Sequence, residues 1–227
     1  MELIVSLPKN DPAMAVAVAK AGADRLKVHM NVMHDASGTA FGDFRAEAPA
    51  IREIIKAVDI PVGLMPGADY NKLPSADELS ALAEDGLDFV DIYAKHMPLW
   101  FIDLPLKLAV AFHEFDGLIE PPYYMTHLYW PPEASANRIW MAEASIFPHD
   151  EYGTPFSYLD FRRLRILQEY TDVPLIVPTQ KEITPDDAKW LKRTGTGALM
   201  IGAVVTGNYT QSVAAATAKY REAIDAV

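Results

Sequence analysis

The chain of 227 residues sets 20 lysines and arginines against 31 aspartates and glutamates, a formal net charge of −11 that lacks the basic footprint a nucleic-acid partner requires. Half of its residues (50%) are hydrophobic and 22% are charged, an ordinary globular balance whose length suits one large α/β barrel, read as a single domain over residues 1–227. It has no cysteine, which excludes disulfides, zinc–thiolate centres and thiol nucleophiles.

The opening MELIVSLPKN is interrupted too soon for a secretory signal, and no later apolar run approaches the roughly 18 residues of a membrane span. A soluble cytoplasmic protein is expected. Strand Glu2–Leu7 is followed by the helical DPAMAVAVAKAG, then strand Arg25–Met30 and a long Gly/Ser/Thr/Asp loop. RAEAPAIREIIKAV predicts a helix, Pro61–Met65 a strand, and SADELSALAEDG a helix capped by Ser75. Strand Asp88–Tyr93 precedes LPLKLAVAFHEF, read as a helix, and Gly117–Glu120, read as the fifth strand. No helix is recognisable between residues 121 and 137. Strand Arg138–Ala144, helix YLDFRRLRILQEY, strand Pro174–Thr179, a helix in TPDDAKWLKRTG capped by Thr184, strand Ala198–Gly202 and helix SVAAATAKYREAIDA complete the series. Eight strands alternating with helices predict the α/β class and a parallel, eight-stranded (β/α)₈ TIM barrel.

Connections from helix to strand are terse (VDIPV, EDGLDF, YTDVPL), whereas those from strand to helix lengthen after the second, fifth and sixth strands. Barrels keep their chemistry on the strand-to-helix end, and long loops there point to function.

Apolar residues of a barrel strand face the helices, so the polar alternates face inward. That places Lys27, His29 and Asn31 inside from the second strand, and Asp91, Tyr93 and Lys95 inside from the fourth. Strands of the same parity share interior layers, so Lys27 and Asp91 can form a buried ion pair. Such a pair is either a proton-transfer or electrophilic lysine or a structural filling of the barrel. Glu120 and Glu143 stand at strand ends as candidate bases, with Lys95 and Lys181 as further candidate lysines. His29, His34 and His96 lack a fixed ligand spacing, so no metal and no cofactor is expected. The aromatic loops YYMTHLYWPPE and FPHDEYGTPFSY suit a lid over the mouth or a contact between copies in a homo-oligomer.

VPLIVPTQKEITPDDAKWLKRTGTGALMIGAVVTG carries the strongest motif. Loops after the seventh and eighth strands form the recurrent phosphate site of such barrels, and glycine allows close backbone approach. Thr179, Gln180, Gly202 and Ala203 are therefore the phosphate-binding candidates. The alternative for Gly202 is a tight strand-to-helix turn alone.

The tail GTGALMIGAVVTG resembles the closing strand and phosphate loop of the ribulose-phosphate-binding barrel superfamily. VHMNVMHDASGTAFG resembles the His-x-Asp-x-Met-Asp-Gly…Phe-Gly stretch of ribulose-phosphate 3-epimerases, with IPVGLMPG following at a similar distance. WMAEASIFPHDEYG falls where those enzymes have a Met-containing strand and a Gly-rich loop. In this alignment His29 meets the first metal histidine, but Asn31 stands for a catalytic aspartate, Gly63 for the second histidine, and Pro178-Thr179-Gln180 for Asp-Gly-Gly. The resemblance thus implies the barrel and phosphate contact at Gly202 and Ala203, and argues against metal-dependent epimerisation. What results is an enzyme acting on a small phosphorylated, sugar-derived metabolite, of isomerase/epimerase or lyase/aldolase type. Lys27, Lys95 or Lys181 would be the electrophile or Schiff-base former, and Glu120, Glu143 or Asp91 the base. The alternatives are a barrel that binds a phosphate ligand without turnover and a barrel serving as a structural subunit.

Overall fold

Eight parallel strands close into a barrel in which residue alternation separates a packed outer layer from a polar mouth. The computed structural model describes residues 1–113, 139–169, 171 and 173–227. The strands are β1 (Glu2–Ser6), β2 (Arg25–His29), β5 (Val62–Met65), β6 (Phe89–Tyr93), β7 (Lys107–His113), β8 (Ile139–Ser145), β9 (Leu175–Pro178) and β10 (Ala198–Ile201). They neighbour one another in chain order, and β10 closes on β1. A short antiparallel hairpin, β3 (Val32–His34) with β4 (Thr39–Phe41), interrupts the first half of the series. Helices α1 (Pro12–Lys20), α2 (Phe44–Ala57), α3 (Ala76–Glu84), α4 (Tyr158–Glu169), α5 (Pro185–Arg193), the single turn α6 (Ala203–Thr206) and α7 (Thr210–Asp225) complete the described elements. This is the TIM barrel.

The caps read from sequence are present. Ser75 and Thr184 each form a capping box, with Glu78 and Asp187 respectively, so the orphan amides of α3 and α5 are bonded.

The fifth barrel strand differs from expectation. LPLKLAVAFHEF contains β7 rather than a helix, and Gly117–Glu120 lies outside the described residues. Leu108, Val110 and Phe112 face the outer core, while Ala109 joins the barrel interior. Small residues on the inner face made the period of two resemble a helical mixture of leucine and alanine.

Two apolar layers result. Outward residues such as Leu3, Val5, Leu26, Val28, Leu64, Val90 and Val177 pack beneath the helices. Ile4, Phe89, Ala109, Met141, Ile176, Ala198 and Met200 fill the barrel floor. Beside the floor, Arg25 lies over the Trp140 ring at 4.3 Å and bridges Glu2 and Asp88. The inside is therefore solid at one end, and open chemistry is confined to the other.

Candidate active site

Above the floor, the even-numbered barrel strands bring three charged side chains together. Lys27 of β2 donates to Asp91 Oδ2 of β6 at 2.7 Å and to Glu143 Oε2 of β8 at 3.1 Å. All three are buried, Asp91 to 1% exposure. Burial alone would strip the proton from Lys27, but the two carboxylates overcome it and hold the ammonium well above the ordinary lysine range. Burial and the Glu143 charge push Asp91 well above the usual carboxylate range. Burial opposes ionisation of Glu143 too, yet Lys27 and the hydrogen bonds it receives keep this carboxyl below its ordinary value. One ammonium thus serves two coupled carboxyls, of which Asp91 is the one that burial drives towards its neutral form. Among the described residues two of the three Lys27 N–H bonds are used, and Asp91 Oδ1 has no hydrogen-bond partner.

These residues line a cavity of about 300 Å³ that also reaches Ser6, His29, His34, Tyr93, Ser145, Thr179, Gln180 and Gly202. Ser6 Oγ and His29 Nε2 share a hydrogen bond of 3.2 Å, and Asn10 clamps the end of β2 through the His29 amide and carbonyl. The His29 ring lies 4.6 Å from that of His34 and 4.9 Å from Phe41. Burial, and then the neighbouring His34 and Lys27, depress the His29 pKa, so the ring is a neutral hydrogen-bonding group. Among the described residues no group of three or more His, Asp or Glu is placed to hold a metal ion.

His34, on the hairpin, is lowered to about 4 by burial and by Lys27. Below pH 6.5 the unfolded chain accepts a proton at residue 34 that the folded chain refuses until about pH 4, so stability falls across that window as acid is added. From pH 7 to about 4.5 the loss assigned to this group is roughly 2–3 kcal/mol. Asp91, raised by burial, acts in the opposite sense, but equally in a His34→Gln variant. Urea unfolding of wild type and variant at both pH values should therefore show a stability difference that shifts towards the variant at low pH. A difference independent of pH would mean that His34 is not held neutral.

Three of the sequence candidates are placed otherwise than at the inner end of the barrel. Asn31 does not continue the inward row: it adopts φ 52°, turns the chain into the hairpin and donates to the Pro66 carbonyl. β6 ends at Tyr93, so Lys95 stands exposed on the rim, its ammonium 5.5 Å from the Tyr93 ring. Lys181 is buried away from the cavity, paired with Glu151, bonded to Thr154 Oγ1 at 3.1 Å and 3.8 Å from Asp160. These contacts tie it to the segment that follows β8. Glu120 and the loop YYMTHLYWPPE lie outside the described residues.

The phosphate candidates are nearer to expectation, with different partners. The Gly202 amide donates to Thr179 Oγ1 at 3.0 Å, leaving the Thr179 hydroxyl proton for a ligand. In α6 the Gly202 carbonyl accepts from the Val205 and Thr206 amides. Gln180 serves its own loops: its amide nitrogen donates to Tyr152 Oη at 2.7 Å and to Ser145 Oγ at 3.2 Å, and its oxygen accepts from the Phe147 amide. Ser145 Oγ also meets Tyr93 Oη at 3.1 Å. Burial pushes the Tyr152 phenol up to about 12, so it stays a donor. Tyr152 and Ser145 were not singled out from sequence, since neither lies in a motif. Ser145 continues the inward row of β8 two residues beyond Glu143, which is the signal that could have found it.

No protein-family model matches the sequence, and no curated protein does either. Solved structures do match in shape. Thiamine phosphate pyrophosphorylase from Pyrococcus furiosus superposes with a TM-score of 0.65 over 99% of this chain and 96% of its own, at 16% identity. For phosphoribosyl anthranilate isomerase from Thermus thermophilus the TM-score is 0.62, covering 100% and 99% at 13% identity. For 3-hexulose-6-phosphate synthase it is 0.64, covering 99% and 100% at 17% identity. The likeness establishes the fold. At these identities the chemistry rests on the residues of this chain.

Proposed function

We propose that this chain is a ribulose-phosphate-binding type of barrel enzyme that acts on a small phosphorylated metabolite by proton transfer. One observation carries the reading: a single cavity holds an ammonium shared by two carboxyls, and extends to the loops after the seventh and eighth barrel strands. The names of the three structural neighbours refer to phosphorylated compounds, which supports the same class.

In this reading the Thr179 hydroxyl and the Ala203 amide hold the phosphate, and Gly202, whose own amide is bonded to Thr179 Oγ1, lets it come close. Glu143 takes a proton from the carbon or hydroxyl next to a substrate carbonyl. The third N–H of Lys27 stabilises the oxyanion that develops, and Asp91 returns a proton. Isomerisation, epimerisation and retro-aldol cleavage all begin with such steps. Because its carboxylates keep Lys27 protonated, it acts as a charge rather than as a Schiff-base nucleophile.

Proton exchange can be read without knowing the full reaction. Phosphorylated ketoses and aldoses incubated with the protein in D₂O should lose ¹H NMR intensity at the carbon next to the carbonyl. Glu143→Gln should slow that exchange by about 10²–10⁴-fold while inorganic phosphate still binds. Engagement of Lys27 in two ion pairs is what favours the second reading, a binding barrel without turnover. Binding of the panel with no exchange in wild type would establish it.

A further inference from the structure

The inner end of the cavity has one cation and two acids. Lys27 touches both carboxyls, at 2.7 and 3.1 Å, and among the described residues no other lysine or arginine lines that end. Ser6, Ser145 and Tyr93 around it are neutral, and they are already bonded to His29 or to one another. Lys95, the other lysine in the lining, stands exposed on the rim, and Asp35 of the hairpin sets a further acid in the lining. A second anionic group on a ligand would therefore meet two carboxyls whose counterion is already shared, in a buried place where water screens poorly.

We infer that the ligand is anionic at one end only: its phosphate lies at the Thr179–Gly202 corner, and the end that meets Lys27, Asp91 and Glu143 is an uncharged carbonyl or hydroxyl. An uncharged oxygen can accept the third N–H of Lys27, and a hydroxyl can bond the unpartnered Oδ1 of Asp91. A carboxylate or second phosphate adds charge beside Glu143, whose counterion Lys27 is already shared with Asp91. The substrate class narrows to neutral carbonyl or polyol monophosphates. Bisphosphates and phosphorylated sugar acids are excluded, and with the acids a decarboxylation. The inference rests on the phosphate corner proposed above and adds the charge rule at the other end.

Matched pairs test it: ribulose 5-phosphate against ribulose 1,5-bisphosphate, and sorbitol 6-phosphate against 6-phosphogluconate, by calorimetry at constant ionic strength. In the wild-type protein the first member of each pair should bind about tenfold tighter or more. Glu143→Gln removes one negative charge while its amide oxygen still accepts from Lys27, so the gap should narrow to about threefold or close. Equal affinities within the wild-type pairs, or an unchanged gap in the folded variant, overturn the charge rule and leave the phosphate corner standing. Should the variant fail to fold, the wild-type pairs decide alone. Absence of binding by all four compounds overturns the phosphate reading, and this inference with it.

Discussion

Gly63→Ala is expected to leave the barrel unable to close in its native form. A β-carbon at residue 63 would stand 2.1–2.3 Å from the Cζ, Cε2 and Cε1 atoms of the Phe89 ring, far inside contact distance. Phe89 is fully buried, and it cannot swing aside, because Ile4, Ala109, Met141, Ile176, Ala198 and Met200 fill the floor around it. Extra methylenes in a packed core cost about 1–3 kcal/mol, and a methyl fixed to the backbone against an immobile ring belongs at or beyond the top of that range. Phe89→Leu alone should be milder, and in the double variant it should restore much of what Gly63→Ala removes, a coupling visible in urea unfolding. Wild-type stability in Gly63→Ala would refute the packing described for the floor. The position matters beyond stability. Residue 63 aligns with the second metal histidine of the epimerases that the sequence resembles, and no imidazole fits where the Phe89 ring already touches the backbone.

The same pair shows what the sequence could and could not disclose. Period-two alternation marked Lys27, His29 and Asp91 as inward residues, and strand parity brought Lys27 to Asp91, since both are local rules that the barrel repeats. Glu143 entered as one of several strand-end acids. Its place on the same ammonium depends on the stagger between β7 and β8, which no local pattern encodes. Asn31 kept the alternation yet left the barrel, because the backbone turned at φ 52° into a hairpin whose strands are only three residues long. β7 was misread because alanines 109 and 111 narrow its inner face, so composition spoke for a helix while Leu108, Val110 and Phe112 still alternated. Lys181 shows the limit of reading strand ends: one residue beyond Gln180 its side chain leaves the mouth for Glu151 and Asp160.

Lys27→Met should destabilise the protein by about 3–5 kcal/mol near neutral pH, the usual consequence of removing one partner from a buried ionic cluster. The pH dependence separates this cause from simple repacking. Without the ammonium, Asp91 and Glu143 face burial and each other, and the folded-state values of both rise above those of the unfolded chain. Groups raised in this way stabilise the fold below their unfolded pKa and lose that contribution as pH rises through the folded value. The deficit of Lys27→Met relative to wild type should therefore shrink towards about pH 5 and widen towards about pH 8. Adding Glu143→Gln should recover part of it at the higher pH, because only one buried carboxyl then remains to be kept from ionising. A deficit that does not change with pH would mean that the two carboxyls are not jointly held by Lys27. Chemistry can be judged apart from stability towards about pH 8, where Glu143 can still lose its proton, by expressing exchange per folded molecule. If Lys27 serves only to hold two acids inside a barrel, proton exchange in D₂O should survive there. If its third N–H stabilises the developing oxyanion, exchange should be lost even where the variant is folded.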